Sequence, residues 1–262
     1  MPSRLSKRRR FRRIVQQNQL LRRHERGFEL ELVRLTRTFG NKVADAYGPG
    51  VGDFAVGLAV EWLQPEVHAL LLRRLKVIAH AFGRMTFDVM DEALGAQKSN
   101  LWDLFTSAVE EWLGHYAATK SIYITRSFEQ RARDVLADSF REGLGEASTQ
   151  RRLRSVLAGD IGVNAARRIA RTETHTAASI GADEAADARD LEMVKEWAAT
   201  EDHRTRPDHA AADGQIVAFN EKFTVGGEQL DFPGDPEGSP EQIINCRCVV
   251  LYHPVINGEV IK

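Results

Sequence analysis

The chain has 262 residues, a formal net charge of −1 and two cysteines. Two cysteines cannot build a disulfide framework, and synthesis in a reducing compartment is the default expectation. No apolar run reaches the ~20 residues that span a bilayer, and the N-terminus lacks the apolar core of a secretory signal, so no membrane partner is expected.

The near-zero net charge conceals an uneven distribution. Arg4, Lys7, Arg8, Arg9, Arg10, Arg12, Arg13, Arg22, Arg23 and Arg26 stand against Glu25 alone in the first 26 residues. Such a basic arm suits phosphate neutralisation on double-stranded DNA without base readout, or docking on an acidic protein surface. The stretch from Met1 to about Gly40 reads as one charged helix that orders on binding, with Phe11, Ile14, Val15, Leu20, Leu21, Phe28, Leu32 and Leu35 at loose helical spacing.

Gly48-Pro49-Gly50 and Gly52 mark a break between Ala46 and Gly57. Pro65 is expected as the first residue of the next helix, which buries Val67, Leu70, Leu71, Ile78, Phe82 and Met85. A second helix, capped by Asn100, carries Leu101, Leu104, Phe105, Ala108, Val109, Trp112, Leu113 and Tyr116. A third starts near Ser127, with Gln130 completing a capping box. It buries Phe128, Val135, Leu136 and Phe140 and stops at Gly143 or Gly145. Ser148 is the expected cap of a short helix with Leu153, Val156 and Leu157. Asn164 is the expected cap of a fifth helix reaching about Ala188, alanine-rich on one side and therefore able to pack closely.

After Arg189 the pattern changes. Strands are expected over Glu192 to Ala199, Ile216 to Phe219, Phe223 to Val225 and Cys248 to Tyr252, with Gly226-Gly227 as a hairpin turn and Phe232 to Pro236 as a loop. The predicted class is α+β. A helical N-terminal region precedes a small α+β C-terminal domain with a short antiparallel sheet. The expected segments are a basic arm over 1–45, a helical region over 46–120 and a C-terminal domain over 121–262, divided into helices to 188 and an α+β part from 189.

Chemistry-bearing residues concentrate near the C-terminus: Arg171, Glu173, Trp197, Asp202, Arg204, Arg206, His209, Asn245, Cys246, Arg247 and Cys248. Trp197 is expected in the core. The plain reading of the rest is a network of paired charges that fixes the fold, with Glu173 bonded to Arg204 or Arg247. Two other chemistries fit the residue types. His209, Cys246 and Cys248 are zinc-type ligands, with His175, His203 or Asp202 as a fourth, although Cys-x-Cys is a weak zinc spacing. Arg171, Glu173, His203 and His209 are also the groups a nuclease or toxin-like enzyme would use.

Residues Ile122 to Tyr252 resemble the Mu-F-like minor head protein, or phage head morphogenesis, family of tailed bacteriophages. The matching pieces occur in order: Arg171-Thr172-Glu173, Lys195-Glu196-Trp197, Asp202-x-Arg204-Thr205-Arg206-x2-His209, Asp213-Gly214-Gln215, Pro233 to Pro236, and Asn245-Cys246-Arg247-Cys248. The resemblance implies a low-copy capsid protein inside the virion. Its partners would be the portal, the major capsid or scaffold protein, and non-specific double-stranded DNA, and it would have no enzymatic activity. Some relatives add a toxin domain after this one. Here the chain stops shortly after the Cys-Arg-Cys string, which argues against such an addition. Many relatives place metal-type ligands where this chain has Arg206 and Ile243, besides those matching His209 and Cys246. The expectation is therefore a metal-free knot, with no cofactor, in which Arg206 pairs with Asp202 or Glu173.

Overall fold

The computed structural model describes residues 4–48, 50–94, 101–200 and 202–261, with side chains for all of these except 4–6, 160 and 161. Five helices come first: α1 (Arg4–Ala46), α2 (Gly52–Leu94), α3 (Trp102–Arg141), α4 (Glu146–Ala158) and α5 (Asp160–Asp187). Short strands and two small helices follow: β1 (Met193–Ala198), α6 (Pro207–Ala211), β2 (Ile216–Ala218), β3 (Phe223–Val225), β4 (Glu228–Leu230), α7 (Pro240–Ile243), β5 (Val249–Ile256) and β6 (Glu259–Val260). This is the α+β arrangement that the sequence predicts.

The chain forms two compact units, neither of them a single stretch of sequence. One comprises Glu25–Arg74 and Trp112–Ala170. It is all-helical, with Phe28, Leu32, Phe39, Val43, Leu63, Leu71 and Phe128 in its core. The other comprises Met1–His24, Leu75–Glu111 and Arg171–Lys262, and it holds the sheet and every residue of the Cys-Arg-Cys cluster.

Several helix boundaries differ from expectation. Pro65 lies inside α2, not at its start. A proline there forgoes one backbone hydrogen bond. Burial of Ala55, Val56, Ala59 and Leu63 in the preceding turns outweighs that loss and carries the helix through. The two helices expected between Leu101 and Gly143 are one helix, α3. Ser127 does not cap it. Its hydroxyl donates to the Ile124 carbonyl at 2.9 Å, a bond available to serine in mid-helix. Phe140, expected on the buried face, is 87% exposed. Ser148 lies in the first turn of α4, whose N-cap is Gly145, and Asn164 lies inside α5. Asn100 is outside the described residues.

The main sheet has the order β2-β1-β5-β6, antiparallel throughout, and β3-β4 forms a separate hairpin. Gly226 and Gly227 both have positive φ at its turn, a conformation glycine adopts without steric cost. β1 pairs with β5 over its full length, Lys195 opposite Tyr252 and Trp197 opposite Val250. Alternation places Glu196 on the opposite side of β1 from Lys195 and Trp197. Most of β1 is nonetheless buried, because helices and loops cover both sides.

The alanine-rich expectation for α5 holds. Ala177, Ala178, Ala182, Ala185 and Ala186 are buried, and a Cβ at Gly181 would overlap the backbone of Ala79 on α2. Close approach of these two helices brings the α5 segment 172–179 beneath the C-terminal loops.

Candidate functional site

The start of α1 is docked on the sheet, not left free. Arg10 Nε donates to Glu196 Oε1 at 2.6 Å, and its second arm donates to Asp213 Oδ1 at 2.6 Å. Arg13 donates to the Tyr252 carbonyl at 3.0 Å, and Gln17 to the Val250 carbonyl at 3.3 Å. His253 Nε2 lies 2.9 Å from Glu196 Oε2. Burial alone would raise the Glu196 carboxyl, but its bonds to His253 and Arg10 overcome this and hold it at about 2. Arg13 is lowered to about 10, chiefly by burial.

Two members of the candidate DNA-binding set, Arg10 and Arg13, are therefore engaged within the fold. Ordering of this segment does not await a partner. Lys7, Arg8, Arg9 and Arg12 remain exposed, and none of them makes an ion pair among the described residues. The Arg4 side chain lies outside the described residues. Beside these cations, Arg9, Arg12 and Arg13 border a cleft of about 390 Å³ whose other walls include Val89, Tyr252 and Pro254.

The C-terminal cluster is built on α5. Thr172, His175, Thr176 and Ser179 recur on one helical face. Thr176 and Ser179 donate to the carbonyls of Gly234 and Pro233 at 2.8 and 2.7 Å, fixing the loop after β4. His175 Nε2 lies 2.6 Å from the Cys248 carbonyl. Thr172 Oγ1 accepts from the Asn245 amide at 3.4 Å, and Arg171 donates to Asn245 Oδ1 at 3.2 Å. Asn245 has φ +58, a left-handed turn that leads the chain into Cys246-Arg247-Cys248.

Burial alternates along the Cys-Arg-Cys segment, with both cysteines buried and Arg247 between them partly exposed. Arg247 makes a two-pronged ion pair with Asp202, one bond at 2.6 Å, and Asp202 also accepts from the Arg204 amide. The Arg247 bond is the main reason the Asp202 carboxyl sits far below its ordinary range. Arg204 itself is exposed and 4.0 Å from Asp202. Arg247 thus pairs with Asp202 and not, as expected, with Glu173. Glu173 is buried. Arg206 also departs from expectation, since its guanidinium donates to the Ile244 carbonyl and not to a carboxylate.

Cys246 and Cys248 turn inward, both reduced and both buried. His209, on α6, lies between them and Gln242. Its Nδ1 is 3.3 Å from Cys248 Sγ and 3.6 Å from Cys246 Sγ, and its Nε2 is 2.9 Å from Gln242 Oε1. The donor atoms of His209, Cys246 and Cys248 all lie within 4.8 Å of one another. Trp197, fully buried as expected, packs edge-on against the His209 ring and against Phe223. Burial disfavours a Cys246 thiolate, but the bond from Cys248 and the charge of Arg206 shift the balance downward. The Cys248 thiol is pushed up, first by its bond to Cys246 and then by burial.

His203 is exposed while His209 is 1% exposed with both ring nitrogens engaged, so the two do not share an open cleft. The three zinc-type residues named from the sequence, His209, Cys246 and Cys248, are the ones the structure gathers, with Arg206 turned to a carbonyl. Sequence reasoning missed Gln242, Thr176 and Ser179, named His175 only as a possible fourth zinc ligand, and quoted Glu196 and Thr172 only within matching motifs. The α5 stripe of Thr172, His175, Thr176 and Ser179 had a readable signal, polar residues at three-, four- and seven-residue intervals on an otherwise alanine-rich helix.

Residues 130–251 match the profile of a family described as Phage Mu protein F like protein. The chain is 37% identical over 98 residues to the minor head protein GP7 of Bacillus phage SPP1, covering 36% of this chain and 31% of that protein. It is 36% identical over 95 residues to NAD(+)--arginine ADP-ribosyltransferase EFV of Enterococcus faecalis, covering 35% of this chain and 19% of that protein. The chain therefore spans under a third of the length of the relatives it matches. No solved structure matches it. Among the described residues, no helix is long and apolar enough to cross a membrane.

Proposed function

We propose that the chain, whose residues 130–251 match the profile of the Phage Mu protein F like family, is a structural minor head protein of a tailed phage or phage-like particle. It resides in the virion, acts in head assembly beside the portal, and meets major capsid or scaffold protein and packaged DNA. The observation that carries this reading is how the family segment uses its polar residues. Arg171, Asp202, Arg206, His209, Asn245 and Arg247 bond to the segment's own side chains and loop carbonyls. Such a network fixes shape, and these six residues, bonded within the segment, are not set up as an acid–base pair facing a substrate. Mass spectrometry of purified DNA-filled particles should find this chain at a low, constant ratio to the major capsid protein. Particles lacking it would overturn the assignment.

DNA contact falls to the outward face of α1, where Lys7, Arg8, Arg9 and Arg12 make no ion pair among the described residues. Deleting the segment is a poor test, because Ile14 and Leu21 are core residues and Arg10 holds the sheet. Replacing Arg8, Arg9 and Arg12 together by alanine leaves those interactions intact. Random duplex DNA should then bind more weakly, and the slope of log K against log salt should become shallower by about 0.9 for each phosphate no longer neutralised. An unchanged slope sinks the DNA role but not the virion role.

The match to EFV supports a second, enzymatic reading in which this chain shares a module with a transferase. Plasmid nicking with divalent metals, and transfer of labelled ADP-ribose from NAD+ to an arginine acceptor, test it directly. Activity abolished by His209→Ala would favour it, and a stability loss with no activity at any stage would dismiss it.

A further inference from the structure

We propose that His209 Nδ1, Cys246 Sγ and Cys248 Sγ hold one zinc ion, with water in the fourth position. The first ground is geometric. Zinc takes thiolate sulfur at about 2.3 Å and imidazole nitrogen at about 2.0 Å, so tetrahedral angles place nitrogen and sulfur roughly 3.5 Å apart. The two observed separations, 3.3 and 3.6 Å, lie on either side of that value. A hydrogen-bonded knot accounts for them less well. Nδ1 has one lone pair, which one thiol hydrogen satisfies, yet both sulfurs converge on that atom. A single ion on the shared face satisfies all three donors at once.

The second ground is the state of the imidazole. Nε2 faces Gln242 Oε1, which only accepts, so Nε2 carries the hydrogen and Nδ1 presents its lone pair to the sulfurs. An oxygen behind the ring is how metal-bound histidines are aimed. The third is charge. All three residues are at most 2% exposed. Two buried thiolates without a counter-charge are untenable, whereas two thiolates, a neutral imidazole and a divalent cation sum to zero. Sulfur and nitrogen donors also reject magnesium and calcium, which require oxygen. On binding, each sulfur still carrying hydrogen forms its bond to zinc as that proton leaves, up to two protons per ion.

The test uses the full chain, purified without chelator. About one zinc per chain by elemental analysis is expected. After metal removal under reducing conditions, cobalt should produce the visible bands of a tetrahedral ion and a near-ultraviolet thiolate band, saturating at one equivalent. Adding zinc should bleach both and raise Tm. Cys248→Ser should lose most of the thiolate band. If that variant does not fold, the wild-type titration with proton release measured alongside still decides. Wild-type protein with native circular dichroism that takes up neither ion, or a Cys248→Ser protein with an undiminished cobalt spectrum, overturns the proposal.

Discussion

Glu196→Gln tests the joint between the start of α1 and the sheet. The substitution keeps the side chain's shape and removes its charge. Arg10 loses an ionic acceptor at 2.6 Å and His253 loses a carboxylate at 2.9 Å, at a position only 6% exposed. The gap between the ordinary value of 4.5 and the folded value of about 2 corresponds to about 3 kcal/mol at ~1.4 kcal/mol per unit. Arg10 keeps Asp213, so the measured loss should fall at or slightly below that figure. A folded value below the unfolded one makes this stability complete above pH 4.5 and removes it as pH falls through about 2. Urea unfolding followed by far-ultraviolet circular dichroism across that range should show the wild type ahead at neutral pH, with the gap closing in acid. Amide exchange over residues 7–21 should quicken in the variant at pH 7. Equal stability at neutral pH, or a difference that persists undiminished at the acid end, refutes the reasoning.

Asp183 titrates with the opposite sign. Burial raises its carboxyl to about 6 from 3.8, although the Tyr252 hydroxyl donates to it at 2.7 Å. Ionising it in the fold costs stability as pH rises through that interval, so Asp183→Asn should gain up to about 3 kcal/mol at pH 7 and nothing near pH 3 in the same urea series. Gly181→Ala should lose about 1–3 kcal/mol, because the added carbon meets backbone that cannot rotate away. Arg247→Ala removes a pair whose carboxylate is 30% exposed, and about 1 kcal/mol in a thermal melt is the expected loss. Phe140→Ser should leave Tm unchanged and reduce only surface apolarity, since its ring touches mainly solvent.

The sequence disclosed what depends on local pattern. The β-hairpin at Gly226-Gly227, the burial of Trp197, the close packing of α5 and the α+β class follow from periodicity and turn chemistry. Its errors arose where distant burial overrode a local signal. Pro65 and Ser127 carry start signals for helices, yet apolar faces on both sides keep each helix running. Charge pairing was less legible still. Asp202 lies 45 positions from Arg247, and Glu196 lies 186 from Arg10; nothing in the residue types distinguishes those partners from the rejected ones. The residue types of His209, Cys246 and Cys248 were legible as zinc-type ligands, but their convergence was not, because it depends on where α6 lies against the Cys-Arg-Cys segment.

The 186-residue separation between Arg10 and Glu196 also sets a schedule for folding. A ribosome adding about 5–20 residues per second delivers the acceptor roughly 10–40 seconds after the donor. Throughout that interval Arg10 and Arg13 lack their acceptors on β1 and β5, and the nascent chain carries more unmatched positive charge than the finished molecule. The seam between the start of α1 and the sheet closes only once β1 and β5 have left the exit tunnel, which places this docking late in synthesis.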